Sequence, residues 1–279
     1  MIFAIKRATL FLSIFTTAAF SQTALQQQHD YAICLYNSEE YFDAITEFKR
    51  LLFFDGKNEF TFEANSMIGK SYKAGAKFDD AIRYFVLAQI AAPSKDKVFE
   101  TQIEIIRCNI LRRTTDRALR ILSDLEADPS FINNKAEINY WRGWALMFDD
   151  RWKDAAAEFK KIEKAHPLNA IAENINEQIY SVTLAKSLSY IIPGAGQFYT
   201  GHYFSGALSL AWNILWGYLT VNAFIGNRIF DGLMVGNLLW FRFYRGNIQN
   251  AEKFALEENL KIINNGLKYL QNEYNGEKP

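Results

Sequence analysis

The sequence contains few of the residues on which catalytic and metal-binding sites depend. Its 279 residues include two cysteines and three histidines. The histidines His29, His166 and His202 are scattered over different regions, and their spacing matches no common metal-ligand pattern. The chain also lacks a glycine-rich phosphate loop with a lysine and a Gly-x-Ser-x-Gly nucleophile turn. We therefore expect a protein that is not an enzyme, with no catalytic residues, no metal and no cofactor.

An excess of charge of one sign is also absent. The chain has 31 basic and 31 acidic residues, so its formal net charge is zero. Because no global positive field attracts nucleic acid, we expect no nucleic-acid partner. Proline and glycine are scarce, with five and fifteen residues, and this leaves room for long helices. Aromatic residues, in contrast, are frequent and concentrate late in the chain.

The first residues indicate export. Lys6 and Arg7 form a short basic region, and residues 8–20 are almost entirely apolar. Small residues at positions 19 and 21 allow cleavage before Gln22. We predict that residues 1–21 are a signal peptide; a retained N-terminal anchor is the alternative.

Four later segments share one pattern of small and aromatic residues. Ala44, Ala81, Ala118 and Ala155 follow one another at intervals of 37 residues. A large apolar residue stands four positions after each alanine, on the same face of a helix. Small residues upstream, such as glycines 69 and 143, would let a first helix approach the alanine of a second. The pattern predicts four helix pairs that stack on one another.

This pattern resembles the tetratricopeptide repeat, a helix pair of about 34 residues. The resemblance covers Ala24 to Pro167 and implies an all-α fold in which residues 22–168 form four stacked repeats. It also implies a solenoid whose first helices line a concave surface that binds a protein or peptide partner. Cys34 and Cys108 would lie on first helices two repeats apart, too far for a disulfide bond, and we expect both to be buried thiols.

The inward-facing positions of the family define a candidate partner-binding groove. The positions that match in this sequence are Lys70, Lys73, Arg107, Tyr140, Trp144, Met147 and Phe148. A basic patch beside an aromatic one would suit a peptide with an acidic residue and an apolar anchor. The alternative is that the aromatic side chains only pack on the next helix and the basic ones are only solvated.

Composition changes sharply in the last third of the chain. Gly206–Ile225 carries no charged residue and is long enough to span a bilayer. A shorter apolar segment, Ile229–Tyr244, contains Asp231 and Arg242, and Gly226–Asn227 separates the two segments as a turn. These features predict a membrane helical hairpin with two crossings. A third crossing by the interrupted segment just before it is the alternative.

Two short motifs flank the predicted hairpin. Their residues are Pro193, Gly194, Gly196, Gln197, Tyr199, Gly201, Gly246 and Asn247. Both motifs resemble those of a group of small bacterial membrane domains of the TM2 type. The resemblance implies a domain of unassigned function that often follows tetratricopeptide repeats in envelope proteins. The first motif is either a polar site for a lipid headgroup or a translocating chain, or a packed re-entrant turn whose polar groups satisfy one another.

The chain therefore divides into five predicted parts. They are a signal peptide (1–21), four repeats (22–168), a capping or linking helix (169–185), a membrane domain (186–246) and an amphipathic C-terminal helix (247–279). Apolar residues of that last helix follow a short heptad pattern, which would serve a homo-oligomer or pack back on the repeats.

We expect a membrane-anchored interaction scaffold of a bacterial cell envelope, with its repeats on the periplasmic side. Its partners would be a protein or peptide and membrane lipid. The alternative is a membrane-active component, in protein insertion or in lipid or solute passage, whose activity lies in Pro193–Gly201.

Overall fold

The computed structural model describes residues 24–279, and every regular element within that range is a helix. The predicted signal peptide lies outside the described residues. The helices cluster into two compact units, and the division falls between Ala170 and Ile171. This boundary lies within a helix, two residues after the predicted end of the repeats.

The first unit consists of helices joined by short turns. Its helices are α1 (residues 24–37), α2 (Tyr41–Phe54), α3 (Thr61–Ala74), α4 (Phe78–Ile90), α5 (Lys95–Leu111), α6 (Thr115–Ala127), α7 (Lys135–Phe148) and α8 (Trp152–Ile162). A 3₁₀ helix, Pro129–Asn134, connects α6 to α7, and α9 (Pro167–Gln178) contains the boundary between the units. From α2 to α8, each helix packs against the next helix in the sequence.

The same turn joins the two helices of all four pairs in the first unit. In each pair, one non-glycine residue of the turn has a left-handed backbone, with φ between 56° and 64°. These residues are Glu39, Ala76, Arg113 and Asp150. The next residue donates its backbone N–H to the carbonyl five residues earlier, at 2.8 to 3.0 Å. Such a bond closes the C-terminal end of a helix, so the 37-residue interval is also a period of backbone geometry.

The residues of the sequence pattern lie in the core of this unit. Ala44, Ala81, Ala118 and Ala155 are fully buried, as are the large residues four positions later. A Cβ added to Gly69 would come within 2.7 Å of the Phe85 ring, and one added to Gly143 within 2.4 Å of the Phe159 ring. The predicted close approach at the two glycines is confirmed, since even a methyl group would overlap the aromatic ring of the paired helix.

The second unit is built from two short helices and two long ones. Its elements are α10 (Val182–Ile191), α11 (Ala195–Tyr199), α12 (Tyr203–Ile225), α13 (Ile229–Val235), a π-helix (Gly236–Trp240) and α14 (Phe241–Glu273). Two predicted boundaries are wrong. The linking helix predicted over 169–185 is interrupted after Gln178, because Ser181 caps a new helix by accepting a hydrogen bond from the Leu184 N–H at 3.2 Å. The helix predicted over 247–279 begins earlier, and no break separates α13, the π-helix and α14.

The helices α12 and α13–α14 form an antiparallel hairpin. Thr220 lies beside Gly236, and further from the turn Trp212 stacks on Phe243 with ring centroids 5.6 Å apart. The connecting turn has Asn227 at φ 52°, and the Arg228 N–H donates to the Ala223 carbonyl at 2.9 Å. The hairpin therefore ends with the same backbone closure as the turns of the first unit.

A large part of the hairpin surface is apolar and exposed. Phe204, Tyr218 and Ile225 on α12 are 84%, 65% and 76% exposed. Among the described residues, α12 is the one helix that is long and apolar enough, by length and composition, to cross a membrane. Exposed apolar patches on a protein commonly mark interaction or membrane surfaces.

Candidate functional site

The basic residues predicted for the groove of the first unit are partly neutralised. Lys73 Nζ lies 3.0 Å from Glu104 Oε2, and Arg107 Nη1 lies 2.8 Å from Glu104 Oε1. The Arg107 guanidinium also lies over the Trp141 ring, 4.9 Å from its centroid. Burial, only partly offset by the Glu104 carboxylate, lowers the pKa of Lys73. An open basic patch at Lys73 and Arg107 was predicted, and the structure corrects it to a half-buried ion cluster that shares one carboxylate.

The predicted aromatic patch is also smaller at the surface than expected. Trp144 is 2% exposed and Met147 is fully buried, so neither side chain is available to a partner. Tyr140 and Phe148 are half-buried, and Lys70 is exposed. Trp144 and Met147 are therefore lost from the predicted groove, and Lys73 and Arg107 are engaged by Glu104. Lys70, Tyr140 and Phe148 are the accessible positions that remain.

The two cysteines have different environments, and no disulfide joins them. Cys108 is buried, as predicted, and burial raises the pKa of its thiol to about 12. Cys34 is exposed, so the prediction that it is buried was wrong. The reason is helical geometry: Ala32 and Leu35 occupy the buried face of α1, and Cys34 lies outside that face.

The membrane motifs meet in a buried hydrogen-bond cluster of the second unit, which we call the Asn247 clasp. Its members are Ser189, Gly194, Gly196, Gln197, Ser209 and Asn247. Asn247 Oδ1 accepts from the Gly194 N–H at 2.7 Å, from Gln197 Nε2 at 3.1 Å and from Ser209 Oγ at 3.0 Å. Its Nδ2 donates to the Ser189 carbonyl at 2.9 Å. One asparagine thus connects α10, α11, α12 and α14.

The remaining polar atoms of the clasp also have partners. Gln197 Oε1 accepts from Ser189 Oγ at 3.2 Å, and Gln197 Nε2 donates to the Asn247 carbonyl at 3.0 Å. Ser189 Oγ accepts from the Gly196 N–H at 3.0 Å. Ser189 and Gln197 are fully buried, and Asn247 is 2% exposed. A buried network in which each side chain is paired rigidifies the fold around it.

Two glycines of the first motif permit this arrangement. Gly194 has φ 93°, and a Cβ there would come within 2.2 Å of the Gly206 carbonyl oxygen. A Cβ on Gly196 would come within 2.1 Å of the Ala185 carbonyl oxygen and 2.7 Å of Ala251 Cβ. Because no side chain fits at either position, the segment that begins α11 can approach α10, α12 and α14 closely only with glycine there.

The other motif residues lie outside the clasp. Tyr199 accepts a hydrogen bond from the Ser181 N–H at 3.1 Å, and Gly201 forms a turn with φ 81°. Pro193 is half-buried, and a Cβ on Gly246 would contact nothing within 4 Å. Gly246 is therefore next to Asn247 in the motif without sharing its packing role.

Sequence reasoning did not identify two pairings that hold α14. Asn259 exchanges two hydrogen bonds with the Tyr180 backbone, at 2.8 and 2.9 Å, and Ser209 donates to Asn247. The pairs are separated by 79 and 38 residues. No local pattern marks residues so far apart, whereas the pair Glu104–Arg107 has an i,i+3 spacing that could have revealed it.

One buried polar atom near the clasp has no partner. Asn213 is 5% exposed, and its Nδ2 donates to the Ser209 carbonyl at 2.8 Å. Its Oδ1 has no hydrogen-bond partner among the described residues.

In residues 24–279, no group of three or more His, Cys, Asp or Glu side chains could hold a metal ion. Comparison of the chain with family models, with curated proteins and with solved structures found no match in any of the three.

Proposed function

We propose that this chain is a membrane-anchored interaction scaffold of a bacterial cell envelope. In this proposal, tetratricopeptide-type repeats in the first unit bind a protein or peptide. The hairpin of the second unit holds them at a membrane, with the repeats on the periplasmic side. The chain performs no catalysis in this account.

The proposal rests on one observation: the chain combines a repeated array of helix pairs with a helix that exposes large apolar side chains. The first unit repeats one helix–turn–helix geometry at a constant interval, and such arrays offer an extended binding surface. The second unit exposes large apolar side chains on a helix of membrane-spanning length. Exposed apolar side chains of this extent are unfavourable in water and favourable in hydrocarbon.

The Asn247 clasp supports a packing role for the Pro193–Gly201 motif. A site for a translocating chain or a solute would need polar atoms that are free to bind it. The side chains of Gln197 and Asn247 use their hydrogen-bonding atoms on each other, on serine hydroxyl groups and on neighbouring backbone. This favours the scaffold over the membrane-active alternative, because the polar groups of the motif form hydrogen bonds that hold the helices together.

Photocrosslinking in cells tests the binding role of the first unit. A photoreactive residue would replace Lys70 on α3 or Phe148 on α7, which are accessible positions in different repeats. We expect both positions to capture the same protein, since one bound segment would extend across repeats. The matched control is Lys160, which is exposed on α8 and belongs to no predicted groove.

Charge-reversal variants test whether the accessible part of the groove binds an acidic ligand. We expect Lys70→Glu to reduce capture from Phe148 by about tenfold, since reversing one charge beside an acidic ligand changes binding by roughly 1–2 kcal/mol. Lys160→Glu should leave capture unchanged. Equal capture from Lys70, Phe148 and Lys160, or none from any of them, would end the groove proposal.

A further inference from the structure

Two exposed arginines lie where the second arm of the hairpin, the continuous segment α13–α14, becomes polar. Arg242 and Arg245 are in the first turns of α14, just after the π-helix. Side chains three positions apart are neighbours on one helix face, so the two guanidinium groups can act together. They border an open cavity of about 590 Å³. Its lining residues are Asn237, Phe241, Arg242, Arg245, Gly246 and Gln249.

No carboxylate compensates the two guanidinium groups. In the part of the chain that the structure describes, neither Arg242 nor Arg245 has a side-chain ion pair or hydrogen bond. Arg228, at the opposite end of the same arm, differs because its Nη1 lies 3.7 Å from Asp231 Oδ2. The cavity therefore presents two adjacent positive charges that are available to an anion.

The distance of Arg242 from Arg228 along the helix is compatible with a position at the edge of the hydrocarbon core of a bilayer. It follows Arg228 by fourteen residues, and at 1.5 Å per residue this is about 21 Å of helix. The hydrocarbon core of a bilayer is about 30 Å thick, and arginine side chains extend several ångströms from their backbone toward water. Arg228 and Arg242 can therefore place their guanidinium groups at opposite surfaces of the hydrocarbon core.

The cavity has an apolar border on the side of the hairpin. Phe241 lines the cavity and is 55% exposed, and Leu238, one turn earlier, is 55% exposed as well. The Gly246 backbone leaves open space on the same helix, since a Cβ there would contact nothing within 4 Å. A ligand that fills this cavity would have a charged end against the arginines and an apolar part along Leu238 and Phe241.

We propose that Arg242 and Arg245 bind the phosphate of an anionic phospholipid headgroup. Guanidinium groups donate paired hydrogen bonds to phosphate oxygens, and two of them on one helix face form a fork for a single phosphate. Asn237 and Gln249 add neutral donors at the rim, and the acyl chains lie along the apolar border. The inference rests on the proposed membrane anchoring, because the cavity meets lipid only if the hairpin is in a bilayer.

Lipid titration of the full chain in detergent, followed by native mass spectrometry, measures the site directly. The two ligands are phosphatidylglycerol and phosphatidylcholine with identical acyl chains. We expect the first phosphatidylglycerol to bind about 25-fold more tightly, since each of the two arginines at a lipid surface contributes roughly fivefold. The double variant Arg242→Gln/Arg245→Gln should bind both lipids equally.

Three control arms make the result specific. Arg228→Gln removes a paired arginine at the other end of the α13–α14 segment and should keep the full preference for phosphatidylglycerol. Arg242→Lys/Arg245→Lys keeps the charge without the fork and should retain part of it. Excess inorganic phosphate should displace no more phosphatidylglycerol than chloride at the same ionic strength. Circular dichroism checks that each variant keeps its helical content.

The inference is overturned by equal binding of the two lipids to the original chain, by a preference that survives in the double glutamine variant, or by specific displacement with inorganic phosphate. Flotation of the full chain with vesicles separates this failure from failure of the anchoring proposal. A chain that floats but shows no lipid preference contradicts only the headgroup site. A chain that does not float with vesicles contradicts the anchoring itself.

Discussion

At the scale of single residues, His166 combines a cap with an aromatic contact. Its ring stacks on Phe159 with centroids 5.3 Å apart, and its Nδ1 accepts a hydrogen bond from the Leu168 N–H at 3.2 Å. Accepting that bond requires the neutral imidazole, and burial lowers the pKa of His166. The side chain therefore caps the first turn of α9 only while it is deprotonated.

This arrangement predicts a pH dependence of stability. Because the folded-state pKa lies below the ordinary value, the contribution of His166 is present above about pH 6.5 and is lost as pH falls through the folded pKa. His166→Asn keeps a capping acceptor that does not titrate, so its free energy of unfolding should fall less between about pH 7 and pH 5. Urea unfolding of the full chain in detergent, followed by tryptophan fluorescence, measures this. Identical pH profiles for the two proteins would show that His166 has no such role.

At the scale of helix pairs, the glycine at the contact between α7 and α8 controls how closely they approach. Gly143→Ala would place a methyl group 2.4 Å from the Phe159 ring, and the helices would have to separate. We expect the free energy of unfolding to fall by about 1–3 kcal/mol, the usual cost of overpacking. Gly56→Ala is the matched control, since a Cβ there contacts nothing within 4 Å. Equal thermal stability of the two variants would contradict the packing account of the 37-residue pattern.

Adjacent residues of the second motif give a similar comparison within the hairpin unit. Asn247→Ala would leave the buried Gly194 N–H without its acceptor, at a cost of about 1–3 kcal/mol, while Gln197 Nε2 would keep only the backbone carbonyl of residue 247. Gly246→Ala should be neutral or stabilising by up to about 1 kcal/mol, because alanine favours the helix and the site is open. Thermal unfolding in detergent distinguishes the two. A stable Asn247→Ala protein would show that the clasp does not hold these helices.

The sequence predicted helix packing correctly where small residues recur at a fixed interval, because close helix contacts require small side chains. Alanines at a constant interval and glycines 69 and 143 predicted close helix pairs, and their burial agrees. Patterns of this kind could not show that Lys73 and Arg107 share Glu104, or that Trp144 points inward. Those outcomes depend on the rotation of each helix about its axis, which tertiary packing decides.

The sequence also failed to predict one helix boundary in the second unit. The predicted boundary between the membrane domain and the final helix fell between Gly246 and Asn247, because the second motif resembles one that leads into a final helix. Gly246 instead lies inside α14, whose helix continues without interruption. Asn247, which was predicted as a helix start, is an interior residue whose side chain forms the centre of the clasp.

At the scale of the whole molecule, the two units meet different physical requirements within one chain of zero net charge. The first unit buries Trp141, Trp152 and Phe159 in its core, whereas the second exposes large aromatic residues on the hairpin helices α12 and α13. Much of the apolar side of the predicted C-terminal heptad seam is not free for a second copy, because Ile263 and Leu270 are already buried in one chain. Leu256 and Leu260, which are more than half exposed, would be the accessible part of that seam.

The central claim is that α12 lies in a membrane while the first unit lies in water, and cysteine accessibility tests it most directly. In a Cys34→Ser background, Ile214→Cys would place a thiol at a position of α12 that is 62% exposed on the folded chain. Lys160→Cys would place one on the exposed surface of α8. In membranes opened to both sides, we predict that a water-soluble maleimide labels the thiol at position 160 and labels the one at position 214 only after denaturation. Equally fast labelling at both positions in intact membranes would contradict the account.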